Sequence, residues 1–299
     1  MLVGLRRLER MDGLSAAGLA SRTRASRFAN VVFAGGGNRC FWQAGFWTEA
    51  APRLELAPDR VAAVSAGAAI ACVLFADRAR EGLEYFKAAT ASNRRNFYPV
   101  KLLRGHRAFP HAAMYRETLV AVIDAAAFAR LRRGPEMRIP ITRAPPWLGP
   151  RAAFVVAGFT DLIEHSVAPA VHLRFARRLG FAAEYVAASE CTTADALADL
   201  ILASSCTPPF TPLMTHGGCL ALDGGIADNV PVGAVDAGGA TLVLLTRRYR
   251  QLPRNPSRVY VQPSAPVPVS AWDYTDPDGL QAAFDLGRRD GERFAQSFA

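Results

Sequence analysis

The chain has 299 residues, 51% of them hydrophobic, enough for one large α/β domain or two small ones with a sizeable core. Its formal charge is +9, and nearly all of the basicity is arginine, with lysine only at positions 87 and 101. An arginine and alanine bias spread over a whole chain only weakly favours anionic partners such as membrane surfaces or nucleic acid, and no nucleic-acid-binding module supports the second.

Residues 1–27 carry Arg6, Arg7, Arg10, Arg22, Arg24 and Arg27 but no apolar core of signal-peptide length. They read as a flexible basic tail, with an organelle-targeting segment as the alternative. The domain proper is expected over 28–299. Residues 28–34 read as a first strand and 39–51 as a first helix. Leu54 to Asp59 is a turn, since Pro58 stops a helix. Val61 to Val64 is a second buried strand, and Ser65-Ala66-Gly67 turns into a helix from Ala68 to Arg80 that continues through 81–91. The uncharged run Val61 to Ala76 is too short to span a bilayer and belongs to the core. Residues 94–107 mix basic side chains with Phe97 and Tyr98, and helix resumes near Pro110 with Met114, Leu119, Val122 and Ile123 as its stripe. Arg138 to Thr142, Ala152 to Ala157, 184–188, Thr241 to Thr246 and Val259 to Gln262 are strand candidates. Residues 166–180 are ambiguous. Asp195 to Ser204 and 276–297 are helices, the latter opened by Asp276 and Pro277 as cap and first turn. Strands alternating with helices predict an α/β domain with a mostly parallel sheet.

Three groups of residues carry chemistry. Gly35-Gly36-Gly37 lies between a buried strand and a helix start, where unpaired N–H groups favour an anion or a developing oxyanion. A P-loop is excluded because no lysine is near, and the dinucleotide fingerprint because Cys40 stands at its third glycine. The alternative is a tight turn alone. Arg39, in the first helical turn, reads as a loop stabiliser, an anionic head-group contact or a surface ion-pair partner. Ser65 sits in Ala63-Val64-Ser65-Ala66-Gly67, the strand–turn–helix pattern of a nucleophile elbow with alanine for the leading glycine; the alternative is a helix cap. A serine nucleophile needs a base. His106, His111, His165, His172 and His216 do not follow the Ser–acid–His order in strand-end loops, which argues against a triad. Asp223, before Gly224-Gly225 at the end of an apolar stretch, is the better candidate, with a plain Asp-Gly turn as its alternative; Asp228 and Asn229 stand near enough to support that loop. Cys40, Cys72, Cys191, Cys206 and Cys219 are scattered and read as reduced core residues of a reducing compartment. A zinc site from Cys206, His216 and Cys219 fits no common ligand spacing. No loop is rich enough in ligands for calcium, and no cofactor is implied.

Taken together these motifs resemble the patatin-like phospholipase family. Gly35 to Arg39 is similar to its glycine-rich motif with a following basic residue, and Ala63 to Gly67 to its nucleophile motif. Ala203 to Phe210 is similar to its Ala/Ser- and Pro-rich segment, and Asp223-Gly224-Gly225 with Asp228 to Pro231 to its aspartate motif. The likeness spans roughly 28–245. It implies a three-layer α/β/α fold and a Ser–Asp dyad without histidine. In that dyad Ser65 attacks an ester, Asp223 takes its proton, and the N–H groups of Gly35, Gly36 and Gly37 hold the oxyanion. It also implies a phospholipid or lysophospholipid substrate and a cytoplasmic protein in peripheral contact with the membrane, with 94–107 on an anionic interface or simply solvated. A general carboxylesterase or acyltransferase on the same dyad, and a non-catalytic lipid-binding protein, are the alternatives. A free aspartate has a pKa of about 4, so the dyad needs burial or substrate approach to raise its basicity. Cys40, where the family has glycine, is expected to crowd the first helical turn.

Overall fold

The computed structural model describes residues 27–149, 175–236 and 238–298, with 152, 155, 156, 171 and 172; the expected tail lies, but for Arg27, outside the described residues. The first strand, β1 (Asn30–Phe33), leads through a 3-10 turn (Gly37–Cys40) into α1 (Phe41–Arg53). Then come β2 (Arg60–Ala63), α2 (Ala66–Phe75), α3 (Ala79–Ser92), the short α4 (Pro99–Leu103), α5 (His111–Val122) and α6 (Ala125–Leu131). Strand β3 (Glu136–Arg143) is followed by α7 (Phe175–Arg178), β4 (Ala182–Ala187) and α8 (Ala194–Ser204). The hairpin β5 (Met214–His216) and β6 (Cys219–Ala221) precedes α9 (Gly224–Asp228), β7 (Thr241–Leu244), β8 (Arg258–Val261) and α10 (Pro277–Gln296).

The central sheet has the order β4-β3-β2-β1-β7-β8, and every pair is parallel except β3 with β4. Strand alternation sorts its side chains onto two faces. Val31, Phe33, Val61, Ala63, Leu242 and Leu244 pack with α1 and α2 in the main core. Val32, Ala62 and Val243 pack with Val230, Val235 and Tyr249 on the other face. The result is the expected three-layer α/β/α arrangement. The chain moves from β1 to β2 on one side and later returns to place β7 on the other, so the sheet's switch point lies between β1 and β7. In open sheets of this kind ligands bind beyond the carboxyl ends of the strands at that point.

Three expectations change. The helix expected from Ala68 through residue 91 is two helices, because Asp77 takes a left-handed φ of 58° and Arg78 N–H donates to the Val73 carbonyl (2.7 Å). Aspartate tolerates that conformation better than most residues. Of the strand expected over Ala152 to Ala157, the described residues Ala152, Val155 and Val156 are helical; the rest lie outside the described residues, as do 166–170, 173 and 174 of the ambiguous stretch 166–180, whose residues Phe175–Arg178 are helical. Strand β3 is longer than expected and carries Pro140 in its interior. Proline is accepted there because β2 pairs only with Glu136 to Arg138 of β3, so no neighbour on that side needs its missing N–H.

Helix α10 fixes α1, and with it the glycine loop. Its N-cap Asp276 accepts from Gly279 N–H (2.7 Å), and Trp42 Nε1–H donates to Asp290 Oδ2 (2.8 Å). The backbones approach so closely that a Cβ at Gly287 would collide with the Trp42 carbonyl, and one at Gly291 with that of Phe46. Gly287→Val should therefore lower unfolding stability by about 2 kcal/mol or more. Urea titration should show a lower midpoint with an unchanged slope.

Candidate functional site

Ser65 follows β2 directly and occupies the N-cap position of α2, with φ 54° and ψ −132°. An L-residue rarely holds positive φ, and the strain is of order 1–3 kcal/mol. The side chain makes no capping bond, so the helix-cap alternative falls. Its hydroxyl instead donates to Asp223 Oδ2 at 2.8 Å. Gly67 is needed two residues on, since a Cβ there would stand 2.6 Å from the Ala34 carbonyl oxygen.

Asp223 lies at the end of the hairpin and caps α9. Its Oδ1 accepts from Gly225 N–H (2.7 Å), while Oδ2 accepts from Ser65 and from the Thr207 hydroxyl (3.2 Å). Its own backbone is tied on both sides: Asp223 N–H donates to the Cys206 carbonyl (2.9 Å), and its carbonyl accepts from Thr142 Oγ1 (2.7 Å). A plain turn needs none of this.

The glycine loop sits across from the pair. Gly35 N–H donates to the Asn229 carbonyl (3.2 Å), and the Gly35 carbonyl accepts from Thr246 Oγ1 (2.6 Å). Gly35 therefore builds the loop, and its N–H is not free for an oxyanion, contrary to the sequence expectation. The N–H groups of Gly36, Gly37 and Ala66 have no hydrogen-bond partner among the described residues. Ala66, the residue after the serine, was recognisable from the elbow pattern, where that N–H is a standard donor. Gly37 has φ 57° and backs onto the Ala271 carbonyl, which a side chain would strike. Arg39 Nε–H donates to the Gly36 carbonyl (3.2 Å), which fits its loop-stabilising reading. Asn229 supports the glycine loop, whereas Asp228 serves another purpose: it accepts from Arg177 and from Tyr185, each at 2.9 Å. Cys40 closes the 3-10 turn that follows the glycine loop. It is buried, its Sγ lies 3.6 Å from the Ala34 carbonyl, and burial pushes its thiol pKa up.

Ser204 was missed as a site residue. Ser65 N–H donates to Ser204 Oγ (2.9 Å), and that hydroxyl donates to the Pro140 carbonyl (2.6 Å). One hydroxyl thus bridges the end of β2 to β3 where the two strands have parted. The Ala/Ser-rich motif marked the segment but not this task.

Two cavities adjoin the site. One of about 20 Å3, room for about one water, is lined by Ser65, Gly37, His111, Ser205, Trp272 and Tyr274 among others. The other, about 60 Å3, is almost wholly apolar and runs from Gly37 and Ala66 between α2, α3 and α5, past Phe41, Ile70, Phe86 and Leu119. His111 thus shares a cavity with Ser65, although no sequence signal placed it there. Its Nε2 lies 2.9 Å from the Trp272 carbonyl, and burial lowers its pKa against the raising effects of that carbonyl and of Asp273. A file of rings leads outward from Trp272 through Phe210 and Phe109 to the exposed Phe97, with centroids 4.7, 5.0 and 5.1 Å apart. Beside it α4 has no buried residue and exposes Val100, Leu102 and Leu103 among Lys101 and Arg104. Among the described residues no helix is long and apolar enough to cross a membrane, and no cluster of His, Cys, Asp or Glu is placed to hold a metal ion. Cys40, Cys72, Cys191 and Cys206 are buried free thiols as expected, while Cys219 is exposed. His165 lies outside the described residues.

A parallel sheet with a strained serine at one strand end and a bare glycine loop at the next defines the nucleophile-elbow class of α/β proteins. Residues 31–236, more than half of the chain, match the family model described as Patatin-like phospholipase, and the chain belongs to that family of lipid acyl hydrolases. Among solved structures it is similar to VipD from Legionella pneumophila, with a TM-score of 0.44 and 10% identity over 91% of this chain and 67% of that one, a likeness too distant to bear weight. No curated protein sequence matches it.

Two outcomes test this geometry. Ser204→Ala leaves the Ser65 N–H and the Pro140 carbonyl without partners and should cost about 2–3 kcal/mol of stability, read by urea unfolding; Ser204→Thr, which keeps the hydroxyl, should recover part of it. Because the folded pKa of His111 lies below its ordinary 6.5, the unfolded chain binds that proton first as the pH falls. Stability should therefore drop below about pH 6.5, and His111→Phe should lose that part of the slope.

Proposed function

We propose that the protein is a serine acyl hydrolase cleaving acyl esters of phospholipid or lysophospholipid, with Ser65 as nucleophile and Asp223 as its base. The observation that carries this reading is the 2.8 Å hydrogen bond from Ser65 Oγ to Asp223 Oδ2, made by a strained serine that forgoes its capping bond. As Ser65 Oγ attacks the ester carbonyl carbon, its proton passes to Asp223 Oδ2. Negative charge then gathers on the former carbonyl oxygen. The Gly36 and Gly37 N–H groups, with that of Ala66, are the donors aimed at such a charge, and donors fixed in advance are worth more than mobile ones. Asp223 returns the proton to the leaving alkoxide. Water then adds to the acyl-enzyme, its proton taken by Asp223, and a fatty acid leaves as Ser65 is re-protonated.

The Gly225 N–H and Thr207 hydroxyl hold the Asp223 carboxylate with Oδ2 toward Ser65, and such preset geometry replaces entropy otherwise lost at the transition state. The apolar cavity beginning at Gly37 and Ala66 is a bed for an acyl chain and favours a lipid over a short ester. Arg39 is the proposed anion contact. The exposed Val100, Leu102 and Leu103 of α4, set among basic residues, suit an anionic membrane surface.

Ser65→Ala and Asp223→Asn should each lower fatty-acid release by about ten-thousand-fold with little change in the circular dichroism melt. Activity that survives both changes would sink the dyad. Dispersed phospholipid should be cleaved with a higher kcat/KM than a short-chain ester; the reverse order would favour a general carboxylesterase. A fluorophosphonate probe should label Ser65, and folded protein that stays unlabelled would favour a lipid-binding role without catalysis.

A further inference from the structure

A second feature of the switch point has no part in the bond-breaking described above. An open groove of about 510 Å3 lies between the segments that follow β1 and β7. Its lining includes Arg39 from the first segment and Arg247 and Arg248 from the second, with no acidic residue among the described ones. Some arginines of this chain are paired with carboxylates, as Arg143 is with Glu184, Arg177 with Asp228 and Arg258 with Asp236. Among the described residues no such carboxylate partner is recorded for Arg247 or Arg248. Arg247 is instead set in place by neutral contacts: its Nε–H donates to the Tyr249 hydroxyl (2.9 Å), and its guanidinium lies 4.8 Å above that ring. Arg248 is exposed at the groove. Guanidinium groups gathered in a concave site are a recognition element for phosphate, whose oxygens they meet two at a time.

The position of the groove is as informative as its charge. Trp272 lines both the groove and the small cavity that holds Ser65. Its apolar side, Pro266, Val267 and Val269, continues along the same wall. The acyl-chain cavity leaves the glycine loop in another direction, between α2, α3 and α5.

We propose that this groove binds a phosphate group through Arg39, Arg247 and Arg248. Resting on the acyl-hydrolase reading, it selects esters that carry phosphate on the same small alcohol. A glycerophospholipid or lysophospholipid is such a molecule: its ester carbonyl reaches Ser65 while its phosphate lies beyond Trp272. Free phosphate shares the chemistry and would compete for the same arginines.

The test uses two uncleavable ethers, 1-O-hexylglycerol 3-phosphate and 1-O-hexylglycerol, titrated calorimetrically into the full chain and into its Arg247→Gln/Arg248→Gln variant. The wild type should bind the phosphate ether at least about tenfold more tightly, the effect of one charge-assisted hydrogen bond. The double variant, which keeps Arg39, should lose most of that preference and keep the wild-type affinity for the neutral one. Equal affinities in the wild type, or a preference undiminished in the variant, would overturn the proposal. Arg248→Gln alone should lose part of the preference, which guards against misfolding of the double variant. Inorganic phosphate separates the sources. Displacement of the phosphate ether by millimolar phosphate marks a site that takes free phosphate; resistance to it marks a site that needs the lipid-linked group. Parallel assays on the matching hexanoyl esters keep the two readings apart. If neither ester is cleaved, the hydrolase reading fails while the ether titration still decides the phosphate site. If both are cleaved at the same kcat/KM and the ethers bind alike, the hydrolase stands and the phosphate site falls.

Discussion

The strained backbone of Ser65 is the constraint on which the site depends. A residue at φ 54° and ψ −132° persists only if its surroundings over-determine it. Here they do so from four directions. Val64 N–H is held by the Phe33 carbonyl (3.2 Å), which fixes the approach from β2. Gly67 N–H returns to the Val64 carbonyl (2.9 Å) and closes the turn into α2. The Ser65 N–H is taken by Ser204, which passes the constraint to Pro140 on β3. The hydroxyl is taken by Asp223. Each of these groups belongs to a different element, so the turn cannot relax without disturbing β1, β3, α8 and the hairpin together.

The same economy explains the glycine loop. A strand end usually leaves its next N–H and C=O groups to water. At Gly35 both are used, toward Asn229 on one side and Thr246 on the other. This fastens the loop to the segments that follow α9 and β7. Gly36 and Gly37 can then leave their N–H groups unpartnered without the loop fraying. Binding capacity at two residues rests on full satisfaction at the one before them.

Much of this was legible in the sequence, and the reasons for success and failure differ by residue. Val31, Val32 and Phe33 announced a strand because they form an unbroken apolar run, and the three glycines marked the turn because no other residue leaves a backbone so bare. Asp276 and Pro277 announced α10 because caps act locally. Ser65 and Asp223 were found as motif members, but their 2.8 Å contact links positions 158 apart in the chain, a distance that no local pattern encodes. Asp77 broke a helix because one left-handed residue suffices, and helical periodicity on both sides concealed it. Ser204 looked like one more small residue in an alanine-rich helix. Its task arises only where β2 and β3 diverge, which is a property of the sheet. Gly35 was misassigned for a similar reason: a triplet of identical residues cannot tell which of its N–H groups the rest of the fold will occupy.

The carboxyl ends of β1, β2 and β7 present chemically opposite walls around one serine. Toward α2, α3 and α5 the lining is Phe41, Ile70, Phe86 and Leu119, and a charged group placed there would lose its water without recompense. Toward β7 it carries three guanidinium groups in an open groove, where an alkyl chain would gain little burial. Parallel strand order produces this contrast, because each crossover delivers its loop to the same edge while its helix goes to a separate place on the sheet. On the proposed function, a molecule with one apolar end and one anionic end is oriented by these walls before any bond changes. The orientation requires no moving part, only that α1 and the segment after β7 stay fixed relative to β2. Gly45, Gly287 and Gly291 provide that for α1 by letting α10 lie against its backbone, and the Thr246 hydroxyl on Gly35 provides it for the segment after β7. The relative placement of the two walls is thus settled by packing far from the serine as well as by the groups that line them.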